Sequence, residues 1–234
     1  MTSFHTILAR AELRKGGAEA LQALLPEIPS NANLKNLSDD RILAEMTKRI
    51  FCSGFVWKVI ESKWPAFEAA FLQFDPLQLT NQPNEFWDGL VKDPRIVRNA
   101  AKIFSVRENA VFVRDISQQH GVFGNFLSAW PSSNQVELLE ILKKQGSRLG
   151  GNTGQYLLRH VGWDGFITSK DVVACLRDAG LDIAEEIKSK RDMQKVQTQF
   201  NAWADETGLS YLHLSRICAL SIGENRLTSE DMDD

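Results

Sequence analysis

Apolar residues recur at helical spacing along most of the chain. Phe4, Ile7, Leu8 and Ala11 fall on one face, and Leu21, Leu24 and Leu25 resume it after a break at Gly16-Gly17. Residues 26–36 (PEIPSNANLKN) show no periodicity and read as a linker. Ser38 is placed to cap a helix carrying Ile42, Leu43, Met46 and Ile50, which stops at Ser53-Gly54. The next helix opens near Phe55 or Trp57, and Phe67, Phe71 and Phe74 then build an apolar ridge ahead of Pro76. Short helices are predicted over 86–90, 96–104, 106–118 and 123–130, with a turn at Asp93-Pro94. Ser132 and Gln135 have capping-box spacing before Val136–Leu142. Ala179-Gly180 closes a later helix. Residues 193–203 and 209–220 form a last pair joined by Glu206-Thr207-Gly208. Strict alternation never persists. The predicted fold is all-α, with about ten short helices in two lobes.

Composition narrows the class. The 234 residues are 43% hydrophobic with thirteen Phe and six Trp, enough for one large domain or two small ones. No apolar run approaches a membrane span, and the first residues lack a secretory signal, so a cytoplasmic chain with no membrane contact is expected. Cys52, Cys175 and Cys218 are odd in number and far apart, which suits buried structural thiols better than a disulfide framework. The net charge of −3 argues against a basic nucleic-acid coat but not against a local basic patch, and the acidic tail 230–234 supplies part of it.

Candidate chemistry concentrates between Leu142 and Leu176. Gly150, Gly151, Asn152, Thr153 and Gly154 lie between two helical patterns, where backbone amides and a helix N-terminus favour a phosphate. Lys143, Lys144 and Arg148 add positive charge just before them. The same residues also fit a plain glycine-rich turn with solvated lysines. The loop is not a Walker loop, and His5, His120, His160 and His213 have no partners at the spacing of a nucleophilic triad.

Five segments occur in order: GFVWKVIESKWPAFEAAFLQFDP, RIVRNAAKIFSVRENA, FGNFLSAWP, LLEILKKQGSRLGGNTGQYLL and DVVACL. Over 37–176 the chain resembles the DNA-3-methyladenine glycosylase I family, within the helix–hairpin–helix glycosylase superfamily. This divides the chain into an N-terminal helix and linker (1–36), a glycosylase-like domain (37–176) and a helical extension (177–234) packed on that domain.

The resemblance implies base excision repair. An alkylated purine such as 3-methyladenine is flipped from duplex DNA and its N-glycosidic bond is hydrolysed, with no cofactor. Trp57 falls on the family's pocket tryptophan and Phe55 where an apolar wedge enters the duplex. Arg49 replaces the family's base-reading glutamate, and Glu45, one turn earlier, is the nearest substitute carboxylate. Asp171 takes the place of a zinc-ligating histidine and only Cys175 of the ligand set remains, so no metal is expected. Asp171 is also a candidate for stabilising the sugar cation. Alignment on Val172-Val173 instead puts Ser169 at that position, and Thr168 with Asp171 has capping-box spacing. The expected partner is double-stranded DNA with a damaged base, met by a monomer. The rival expectation is a non-catalytic DNA-binding protein that kept the hairpin, and a third is a purely structural helical protein.

Overall fold

The computed structural model describes residues 2–28 and 30–223, so the acidic tail lies outside the described residues. In chain order the helices are α1 (Phe4–Lys15), α2 (Ala18–Gln22), α3 (Asn31–Lys35), α4 (Asp39–Cys52) and α5 (Trp57–Ala70). Next come α6 (Pro76–Thr80), α7 (Asn84–Lys92), α8 (Ala100–His120) and α9 (Phe123–Ala129). The last five are α10 (Gln135–Gln145), α11 (Asn152–His160), α12 (Lys170–Asp178), α13 (Lys190–Thr207) and α14 (Tyr211–Ser221). No strand occurs among the described residues, and none of their helices is long and apolar enough to cross a membrane.

The chain divides into two compact units. One draws on Met1–Pro29, Pro131–Leu138 and Trp163–Asp234, as far as these are described, and the other on Ser30–Trp130 and Leu139–Gly162. This grouping differs from the consecutive division at residues 36 and 176, because α1 shares a unit with α12, α13 and α14.

In the first unit, α1, α12, α13 and α14 enclose a core that includes Phe4, Phe166, Leu176, Phe200 and Leu214. Phe166 stacks on Phe200 at 4.6 Å between ring centroids. The Ser3 hydroxyl caps α1 by accepting from the His5 N–H at 3.3 Å. The Phe4 N–H donates to Glu206 Oε2 at 3.1 Å, tying the start of α1 to the end of α13.

The second unit is built on α4 and α8. The ridge read from sequence is its core: Phe67, Phe71 and Phe74 are fully buried, each worth about 2 kcal/mol of burial. Leu72, Gln73 and Phe74 form a left-handed turn with φ of 53°, 56° and 58°. Such a conformation costs L-residues about 1–2 kcal/mol each. Stacking of Phe74 on Trp64 (5.4 Å) and an Arg41 hydrogen bond to the Gln73 carbonyl (2.9 Å) oppose that cost.

Several expected boundaries move. The linker 26–36 contains the short helix α3, capped by Ser30. The two helices expected over 96–118 are one helix of 21 residues, opened by the Asn99 side chain accepting from the Lys102 N–H. Ser132 and Gln135 form no capping box; Ser132–Asn134 is a 3-10 turn, and Asn134 donates to Glu137 instead.

Candidate nucleic-acid interface

The hairpin between α10 and α11 belongs to the second unit. Its turn is fixed from below by Asn109, fully buried on α8. Asn109 accepts from the Ser147 N–H at 2.7 Å and donates to the Ser147 carbonyl at 3.0 Å. Gly151 precedes α11 at φ 60° and ψ −139°, and no side chain caps the helix there. The first-turn amides of α11 therefore have no intrahelical acceptor, and the helix dipole makes them an anion-attracting end. Gly154 is buried where a Cβ would stand 2.5 Å from the Leu149 carbonyl oxygen, so only glycine lets the two arms close. Lys143 and Lys144 are exposed beside the turn, with Glu140 3.9 Å from Lys144. Arg148 is exposed, and its Nε donates to the Ala101 carbonyl at 3.2 Å.

Phe55 lies in the loop between α4 and α5, 41% exposed, followed by an exposed Val56 and a half-buried Trp57 at the first position of α5. The ammonium of Lys102 stands 4.5 Å from the Phe55 ring centroid.

Arg49 is only 8% exposed and faces inward from α4. Its Nε lies 2.7 Å from Glu45 Oε1, one helical turn back. Neither atom has a directed hydrogen bond, so the pair is held by charge rather than alignment. Arg49 Nη1 also donates to His160 Nε2 on α11 at 2.9 Å. The two residues singled out for reading a base are thus bound first to each other.

In the first unit, the Ser169 hydroxyl accepts from the Val172 N–H at 3.4 Å and caps α12. Ser169, not Thr168, is the N-cap residue. Asp171 is half-buried in the first turn of α12. Its carboxylate lies beside Gly223, where a Cβ would meet Oδ1 at 3.0 Å. Cys175 and Cys218 are buried, but Cys52 is only partly so, against the expectation of three buried thiols.

A family model for methyladenine glycosylase matches residues 34–156, more than half of the 234 residues. The chain belongs to the methyladenine glycosylase family. Its members are DNA glycosylases of base excision repair, hydrolases of the N-glycosidic bond. A crystal structure of 3-methyladenine DNA glycosylase I is similar over 59% of this chain and 82% of that one, at 21% identity and a TM-score of 0.47. The Staphylococcus aureus 3-methyladenine DNA glycosylase I matches at 25% identity over 58% and 78% of the two chains, with a TM-score of 0.44. The Methanocaldococcus jannaschii 8-oxoguanine glycosylase/lyase, in complex with DNA containing 8-oxoguanine, covers 91% of this chain and 95% of its own. Its identity is 16% and its TM-score 0.52, a likeness of fold.

The zinc site of the methyladenine glycosylase family does not fit these residues. Cys175 Sγ accepts from Arg10 Nη2 at 3.6 Å and lies 3.4 Å from Ser221 Oγ, so the sulfur is already engaged within the protein. Among the described residues no three His, Cys, Asp or Glu side chains converge to hold an ion. A hydrogen bond from Cys218 is the main cause drawing the Cys175 thiol down to about 7, while burial pushes Cys218 up.

Sequence reading missed three residues that hold the candidate site's side chains and turn: Asn109 on Ser147, Lys102 beside Phe55 and His160 on Arg49. Asn109 left a trace, a polar residue amid the apolar face of Val106, Ala110 and Val113. The other two left none, because their partners are remote in sequence.

Proposed function

We propose that this glycosylase removes alkylated purines such as 3-methyladenine from duplex DNA by flipping the base and hydrolysing its N-glycosidic bond. The observation that carries the reading is the hairpin. A turn fixed by Asn109, a positive-φ Gly151, the open end of α11 and exposed Lys143 and Lys144 together suit a phosphate backbone. Trp57, half-buried at the head of α5, offers an indole face for stacking, and Phe55 an apolar tip for the gap left in the duplex. Asp171 is the carboxylate we assign to stabilising positive charge on the sugar as the bond breaks; Ser169, spent on the helix cap, is left out of the base pocket. The same reading has the chain acting as a monomer in the cytoplasm.

One observation favours a second reading, duplex binding with turnover lost. Glu45, the carboxylate nearest the base-reading position, is paired with Arg49 rather than free. The pair carries no net charge, which removes the repulsion an isolated Arg49 would exert on a cationic base but leaves the Glu45 charge already offset by Arg49.

Release of methylated base from alkylated duplex by the purified chain separates the two. Excision is expected, lowered about tenfold to a hundredfold by Trp57→Ala through lost stacking. Asp171→Asn is expected to slow single-turnover excision without weakening duplex binding. Salt-sensitive binding with no released base would establish the second reading.

A further inference from the structure

We propose that Lys102 is a positioning residue that sets Phe55 for entry into the duplex and registers it against the hairpin. The proposal rests on the reading of Phe55 as the inserted residue.

Lys102 sits in the first turn of α8, where the helix dipole opposes a cation, and its side chain is withdrawn from water at 7% exposure. Burial and the neighbouring charge of Arg148 lower its pKa, so neither local helix preference nor solvation accounts for a lysine here. Its ammonium is directed across to the C-terminal end of α4. There it donates to the Phe51 carbonyl at 3.2 Å and to the Ser53 carbonyl. Helix ends leave such carbonyls without backbone partners and partially negative, which offsets the burial of the charge.

The remaining side of the ammonium faces an aromatic ring, 4.5 Å from the Phe55 centroid. Phe55 is thus held from beneath by a cation and stays 41% exposed, with Val56 exposed at 68% beside it. A phenylalanine next to Gly54 has a loosely restrained backbone, and the cation supplies a fixed contact for its ring. The lysine keeps its ring presented.

The preceding residue links this device to the phosphate grip. Arg148 of the hairpin donates to the Ala101 carbonyl, so Ala101 and Lys102 tie two separate loops to one helical turn. Asn109, two turns along α8, holds Ser147 of the same hairpin. One rigid helix therefore fixes the spacing between an apolar tip and the hairpin. A buried cation at a helix start breaks a local rule, which is where functional or strained positions are expected.

The test uses the full chain and a duplex with 2-aminopurine beside an abasic-site analogue, whose fluorescence rises on unstacking. Single-turnover excision on alkylated duplex is read in parallel. Phe55→Ala is expected to reduce both by about tenfold, and Lys102→Met by a similar factor. In the Phe55→Ala background, Lys102→Met is expected to add nothing, because its effect runs through the ring. A further tenfold loss in that background overturns the positioning role while leaving the Phe55 reading intact. If Phe55→Ala changes neither signal, the inserted-residue reading and this proposal fall together. Should Lys102→Met not fold, Lys102→Gln keeps N–H donors for the carbonyls without the charge, and the same additivity decides.

Discussion

Arg49 Nη1 stands 2.9 Å from His160 Nε2. A guanidinium only donates, so the ring nitrogen accepts, and His160 is neutral with its proton on Nδ1. Burial first, then the Arg49 charge, holds the His160 pKa at about 3 against an ordinary 6.5. Between those values the unfolded chain binds a proton that the native chain does not. The stability linked to this ring is full above pH 6.5 and drains away as pH falls towards 3. His160→Gln keeps an acceptor for Arg49 but does not titrate. Urea denaturation from pH 4 to 7 is expected to show a shallower loss of stability on acidification in this variant. An unchanged slope would place the linked proton elsewhere.

Arg49→Leu tests the ion pair beside that histidine. Glu45 would keep its charge on a partly buried helix face without a counter-charge. The expected loss is about 2 kcal/mol, discounted because Glu45 retains some solvent. Glu45→Gln added to Arg49→Leu should recover part of it. Chemical denaturation of the single and double variants measures both, and an undiminished Arg49→Leu protein would mean that the pair adds nothing.

Gly154→Ala addresses the hairpin itself. The added methyl would press on the Leu149 carbonyl at 2.5 Å and on Leu139 Cδ2 at 3.1 Å, neither of which yields without moving the turn. A loss of about 2 kcal/mol in stability is expected, with weaker duplex binding. Full stability in denaturant would show that the arms have slack.

Lys143→Ala probes the basic flank. Removing one phosphate contact should lower the slope of log affinity against log salt by about 0.9. Lys144→Ala should change it less, since Glu140 lies 3.9 Å from its ammonium. Equal slopes for Lys143→Ala and the native chain would remove Lys143 from the interface.

Much of the fold could be read where apolar spacing repeats. Ile42, Leu43, Met46 and Ile50 announced α4, and all four are buried as expected. Ser38 was correctly located at the helix start, but its hydroxyl bonds the Asp40 side chain rather than the backbone. Helix α3 escaped because its five residues bury only Leu34, and one apolar side chain has no period. The two helices expected over 96–104 and 106–118 are continuous through Ser105, whose hydroxyl donates to the Lys102 carbonyl inside α8. At the candidate site, the hairpin was legible from its glycines and lysines. The Arg49–His160 contact was not, since 111 residues separate the partners. Lys102 reads in sequence as any solvated helix lysine, and only the carbonyls of Phe51 and Ser53 show otherwise.

The Phe4–Glu206 hydrogen bond joins residues 202 positions apart. A chain emerging from the ribosome must therefore carry α1 with its apolar face of Phe4, Ile7 and Ala11 unsatisfied until α13 and α14 have been made. The unit formed by Ser30–Trp130 and Leu139–Gly162 has all its residues much earlier. Synthesis order thus favours the hairpin unit as the first to fold, with the packing of α1 on α13 and α14 as the late, slow step.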